Sequence, residues 1–137
     1  MAGSRTVHEV HGSVLRNHCT GCGRSYPVEA IADSTGVPRC DDCGGIIKPE
    51  VVLYEEGLDM DVMAAAVEAI GRADVLIVGG TSLNVYPAAG LLDYFRGEPL
   101  VLVNKSATPA DRRADLVVHD SIGAVLGAAT DEALGEA

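Results

Sequence analysis

Ala73-Asp74-Val75-Leu76-Ile77-Val78-Gly79-Gly80-Thr81-Ser82 is the stretch whose reading decides the fold. Its near-continuous run of branched apolar residues is the pattern of a strand buried on both faces, as in a parallel sheet covered by helices. Two glycines and two hydroxyls follow, at the strand's carboxyl end, where open α/β sheets place their ligands and where glycine lets backbone approach a phosphate or ribose. Gly79-Gly80 could equally do no more than turn the chain, and no G-x-G-x-x-G fingerprint accompanies it. Downstream, residues 87–95 read as a helix with Ala88, Leu91, Leu92 and Phe95 on one side. Leu100-Val101-Leu102-Val103 reads as a second buried strand ending in Asn104-Lys105-Ser106. Residues 115–119 form a third apolar run, and a closing helix passes through Ile122, Val125 and Leu126. Upstream, residues 60–72 carry Val62, Met63, Ala66, Val67 and Ile70 at helical spacing, with Asp59 or Asp61 as N-cap and Gly71 near the stop. The alternation implies an α/β fold with a partial doubly wound, Rossmann-like parallel sheet and three loops at the carboxyl ends of its strands.

Further upstream the periodicity gives way to cysteine. Cys19-Thr20-Gly21-Cys22 is answered, after seventeen residues, by Cys40-Asp41-Asp42-Cys43, and these are all four cysteines of the chain. Paired C-x2-C units at this separation fit a four-cysteine zinc site. Two residues between a pair let a tight knuckle aim both thiolates at one ion, and the flanking glycines, Gly21, Gly23, Gly44 and Gly45, offer the positive φ such knuckles use. Two disulfides are the competing reading, but no secretory signal accompanies them. A redox C-x-x-C would be a single pair opening a helix. Four sulfurs leave no open coordination position, so the zinc is expected to be structural. Residues 16–48 are then an inserted zinc module, with one helical turn near 28–32, a breaker-rich loop at 34–38, and too few apolar residues to fold without metal.

At 137 residues, 47% hydrophobic and 22% charged, the chain has room for one core and a small appendage. A formal charge of -10 argues against nucleic acid as a partner, since phosphate binding requires basic surface. No apolar run reaches the roughly 20 residues of a membrane span, and residues 1–6 lack a signal peptide's apolar region. The expectation is a cytoplasmic protein without membrane partners, with residues 1–6 a disordered start or tag and residues 128–137 an acidic tail. Residues 7–15 and 49–127 would form the larger domain. From Val7 the alternation Val-His-Glu-Val-His-Gly reads as a short strand running into a turn at Gly12. His11 at that turn is either an ordinary surface histidine or a general base carried on a loop. His8, His18 and His119 read as ordinary histidines.

The order of these features resembles that of the sirtuins, the NAD-dependent protein deacylases. Carrying the resemblance are Glu9-Val10-His11-Gly12-Ser13, the four cysteines, Lys48-Pro49-Glu50-Val51-Val52-Leu53-Tyr54, Gly80-Thr81-Ser82-Leu83, Val85-Tyr86-Pro87-Ala88-Ala89-Gly90, Asn104-Lys105-Ser106 and Arg113-Ala114-Asp115-Leu116. The resemblance implies that His11 is the catalytic base, acting on a ribose hydroxyl once the acyl-lysine oxygen has displaced nicotinamide from NAD. It implies that Gly80, Thr81, Ser82, Asn104, Lys105, Ser106 and the backbone near Ile122 hold the adenosine half of NAD. An acylated-lysine peptide would lie along Val52, Tyr54, Glu55 and Glu56 as an added strand. Tyr54-Glu55-Glu56 stands where the family usually has Phe-Gly-Glu, which hints at basic substrates. The family's Gly-Ala-Gly phosphate loop and Thr-Gln-Asn-Ile-Asp segment do not occur in the sequence. The chain therefore resembles the C-terminal portion of a sirtuin, expected to be inactive alone and to self-associate or pair with a complementing N-terminal half. The alternatives are a non-catalytic binder of NAD or ADP-ribose and a zinc-stabilised interaction module.

Overall fold

In the computed structural model, which describes residues 3–135, the chain divides into two compact units, residues 1–63 and residues 64–137. The first unit contains β1 (Gly12–Cys19), β2 (Ser25–Pro27), a single turn α1 (Glu29–Ala32) and β3 (Ile47–Val51). These strands form an antiparallel sheet in the order β2-β1-β3. A register shift between Ser13 and Asn17 bulges β1 against β3. The buried Asn17 side chain fills the bulge, its Nδ2 donating to the Val14 carbonyl at 3.2 Å. Among the described residues of this unit, Ser13, Asn17, Cys19, Cys40 and Ile47 are buried, a set with one aliphatic side chain in it.

Two expectations shift by a few residues here. Residues 7–9 form no strand; extended pairing begins at Gly12, because the Gly12 amide first closes a turn on the Glu9 carbonyl at 2.8 Å. The apolar run Val51-Val52-Leu53-Tyr54 reads as extended in the sequence, but the strand lies earlier, as β3, and the chain turns at Tyr54. Pairing to β1 rather than apolar content sets β3's bounds.

The helix α2 (Met60–Gly71) crosses the boundary between the units. Asp59 caps it as expected, its Oδ1 accepting the Asp61 amide at 2.9 Å and the Val62 amide at 3.1 Å.

The second unit holds β4 (Leu76–Gly79), β5 (Leu100–Val103) and β6 (Leu116–Val118), a parallel sheet in the order β4-β5-β6. Residues 87–95 fold as a 3-10 helix, Ala88–Tyr94, rather than an α-helix. The register pairs Leu76 with Leu100, Val78 with Leu102, and Leu102 with Val117. These five share one face, and they pack with Leu92, Ala110, Leu83, Phe95 and Ala114 into the apolar core. The opposite face is covered less fully than the sequence suggested: Ile77 is 53% exposed and Leu116 52%. A continuous apolar run says that both faces of a strand can be buried; here the second face is covered at its carboxyl end, where Val103 is 2% exposed and Ile122 packs against Gly79, and open further back. The closing helix α3 (Ile122–Leu134) buries no residue, and the acidic segment from 128 is its second half, ending on a left-handed Gly135. Of the expected start and tail, residues 1–2 and 136–137 lie outside the described residues. No helix among the described residues is long and apolar enough to cross a membrane.

Candidate functional site

The four cysteine sulfurs lie within 4.8 Å of one another. Cys19 and Cys43 are 3.4 Å apart and Cys22 and Cys40 3.6 Å. A tetrahedron with metal–sulfur bonds near 2.3 Å has sulfur–sulfur edges of about 3.8 Å, so the set fits a zinc ion. The glycines serve this packing in two ways. Gly23 and Gly44 turn each knuckle at φ +74° and +72°. Gly45 is instead needed for close approach: a Cβ there would sit 2.8 Å from Cys19 Sγ. Arg24 bridges the two knuckles by an ion pair to Asp42 at 2.7 Å.

Crowded this closely, the sulfurs disfavour one another's ionised forms. A hydrogen bond from the Tyr26 phenol brings Cys40 down to about 6. Cys43 is pushed up to about 12; the Gly45 amide pulls it down, but the crowding sulfurs of Cys19, Cys22 and Cys40 outweigh that pull. Four thiolates at this separation need a multivalent cation among them, which is what a bound zinc supplies. His18, beside Cys19, points to Glu50 at 3.9 Å. Tyr26 went unnoticed in the sequence, where its only signal is a lone aromatic in a stretch otherwise poor in apolar residues.

The histidine turn belongs to the same unit. His11 is exposed, and its carbonyl accepts the Val52 amide at 3.1 Å. Gly12 pairs with Val51 in the sheet at φ +74°, and a Cβ there would strike the Glu50 carbonyl. The turn is thus fastened to the end of β3, where the peptide-binding residues were expected. A cavity of about 430 Å³ lies alongside, lined in part by Gly12, Val51, Val52, Glu56 and Val62. Tyr54 is fully exposed and Glu55 adopts φ +70°. Glu56 spends its carboxylate on the chain itself, accepting the Leu53 amide and Lys48 Nζ, each at 2.9 Å. The Leu53 amide, and then Lys48, hold it below the usual carboxylate range.

In the second unit the three strand-end loops come to one edge. Gly79 pairs with Val103 and Val103 with Val118, so the carboxyl ends of β4, β5 and β6 are level. The Gly80 amide donates to the Val103 carbonyl and the Asn104 amide to the Val118 carbonyl. Ile122 packs where a Cβ on Gly79 would stand. Thr81 Oγ1 accepts the Leu83 amide at 3.2 Å, and Asn104 Nδ2 donates to the Ser106 carbonyl at 2.8 Å. Ser82, Lys105 and Ser106 are exposed at this edge. His119 ties two segments together, facing the Asn104 carbonyl at 3.1 Å and the Asp111 carboxylate at 3.2 Å.

Residues 1–87 match the profile of the Sir2 family. The chain belongs to that family. It is 61% identical over 132 residues to an NAD-dependent protein deacetylase of Clostridium perfringens, and 60% identical over 127 residues to one of Cutibacterium acnes. Those alignments take in 96% and 93% of this chain but 54% and 52% of the relatives, so the chain spans about half their length. Among solved structures it is similar to a Sir2–p53 peptide–NAD+ complex, with TM-score 0.84 and 37% identity over 98% of this chain and 58% of that one. It is equally similar to Sir2Tm bound to a propionylated peptide, with TM-score 0.84 and 38% identity over 96% of this chain and 57% of that one. The α/β fold with a parallel sheet and a four-cysteine centre is therefore the sirtuin fold over the part that this chain spans.

Proposed function

We propose that this chain is the zinc-module and strand-loop portion of an NAD-dependent protein lysine deacylase. The observation that carries the reading is the hydrogen bond from the Val52 amide to the His11 carbonyl. It fastens the histidine turn to the end of β3, which supports reading His11 as a base beside a peptide-pairing segment. NAD, when bound, supplies an ADP-ribose acceptor for the acyl group and nicotinamide as leaving group. His11 would accept a proton from a ribose hydroxyl, as an exposed imidazole on a turn can. Gly80, Thr81, Ser82, Asn104, Lys105, Ser106 and the Ile122 backbone would hold the adenosine half at the level strand ends. Val52, Tyr54 and Glu55 would run along an acylated-lysine peptide, while Glu56 shapes their turn.

Val75 is 50% exposed and Ile77 53%, and β4 pairs on one side only. This open edge supports the view that the chain turns over little by itself and self-associates or pairs with a polypeptide carrying the glycine-loop half. The test mixes the metal-loaded chain with such a polypeptide, an acetyl-lysine peptide and NAD, and measures nicotinamide release. Release is expected from the mixture and not from the chain alone, falling about 100-fold or more for His11→Ala. A folded, metal-loaded mixture that releases none would overturn the reading. Sedimentation of the chain alone as a monomer would overturn self-association.

The level loops of the second unit favour a second reading, a nucleotide binder without catalysis. Calorimetry separates the two: heat with ADP-ribose from a mixture that never releases nicotinamide selects the binder.

A further inference from the structure

We propose that Tyr26 is a positioning residue of the metal centre, its phenol fixing Cys40 Sγ and drawing charge from it so that the ion is released more slowly. The inference rests on the four-cysteine metal centre. Tyr26 lies in β2, outside both knuckles, and reaches the second of them. Its hydroxyl donates to Cys40 Sγ at 3.1 Å and accepts the Asp41 amide at 3.2 Å. One O–H gives one proton and keeps lone pairs, so a phenol satisfies both contacts at once. The ring cannot swing away easily. Asn17 of β1 pairs with Tyr26 in the sheet, and the Arg24 guanidinium sits 5.3 Å from the ring centroid while paired to Asp42.

The centre has a use for such a donor. Four thiolates around one divalent ion carry a net charge of -2, and Asp41 and Asp42 add to it within the same knuckle. Among the described residues, Tyr26 is the one side chain other than a cysteine that hydrogen-bonds a cysteine sulfur; the Gly21 amide donates to Cys19 at 3.3 Å. A hydrogen bond to a ligating atom both orients it and tunes its electron density, and losing one typically costs 10- to 100-fold in metal affinity.

The experiment uses the whole chain loaded with cobalt, comparing wild type with Tyr26→Phe, which keeps the ring under Arg24 and removes only the hydroxyl. Transfer of metal to a chromophoric chelator is expected to quicken about tenfold or more. The thiolate-to-cobalt charge-transfer band is expected to move to lower energy, because a thiolate relieved of a hydrogen bond gives up its electrons more readily. An unchanged band overturns the proposal whatever the transfer rate, since faster release alone would reflect packing. Should Tyr26→Phe hold no cobalt at all, cadmium-loaded wild type decides. A Tyr26 hydroxyl proton coupled to the cadmium nucleus through Cys40 supports the assignment, and its absence overturns it. Wild-type chain that takes up no metal would remove the centre itself.

Discussion

The two sheets of this chain are stabilised by different chemistry. The antiparallel sheet β2-β1-β3 buries Ile47 as its one aliphatic residue, with Cys19, Cys40, Ser13 and Asn17 for company. The parallel sheet β4-β5-β6 buries Leu92, Leu100, Leu102, Val103 and Ala110. Burying a Leu or Val contributes roughly 1.5–3 kcal/mol, so the second unit has a hydrophobic source of stability that the first lacks. In the first the deficit falls to the metal, whose binding energy becomes folding energy. The functional consequence lies in what each sheet carries. The metal-dependent sheet holds the His11 turn, and the hydrophobic sheet holds the strand-end loops at Gly80 and Asn104.

The sharpest way to break this contrast is Cys40→Ser. Removing one of four thiolates should abolish tight metal binding and unfold the first unit, seen as loss of cobalt charge-transfer intensity and of β1 amide protection, with the second unit's core resonances unmoved. Leu102→Ala should do the reverse. Leu102 is 2% exposed, and truncating a buried leucine costs about 2–5 kcal/mol. Denaturant melts followed at the second unit should shift accordingly while metal affinity stays put. Gly12→Ala comes next. At φ +74°, with its new Cβ against the Glu50 carbonyl, the turn should lose roughly 1–3 kcal/mol and the Val52 amide its protection, with zinc retained.

The smallest effect concerns acid. Asp111 accepts the Thr108 hydroxyl at 2.6 Å, and this bond, then the Thr108 amide and His119, hold its carboxyl below the ordinary carboxylate range. A carboxyl lowered on folding stabilises the native state above its unfolded pKa, and that stability is lost as pH falls through the lowered folded value. Melting of the second unit should therefore decline in acid for wild type, and decline less for Asp111→Asn.

Much of this organisation was legible in the residues, and unequally so. The cysteine spacing specified its site because a tetrahedral metal admits few geometries. The 100–103 strand matched the sequence residue for residue because a short apolar run between breakers has one register. Elsewhere the sequence was ambiguous for physical reasons. Ile77 reads as buried because apolar content says nothing about how many layers will arrive. Residues 87–95 carry helical spacing, yet they adopt 3-10 geometry, whose side-chain period is close enough to be confused over seven residues. Glu56 closes a turn on Leu53 and Lys48, three and eight residues back, a contact that hydrophobic periodicity does not announce. Gly45 looked like a φ requirement and is a space requirement set by Cys19. Tyr26 was invisible for the same reason: its partner sulfur is fourteen residues away.

Hydrogen exchange on the metal-loaded chain, before and after a strong chelator, tests the central contrast most directly. The expected result is loss of protection at the Cys19 and Val52 amides, with Leu102 and Val103 as protected as before. Retention of protection at Cys19 and Val52 without metal would contradict the account, as would simultaneous loss across both sheets.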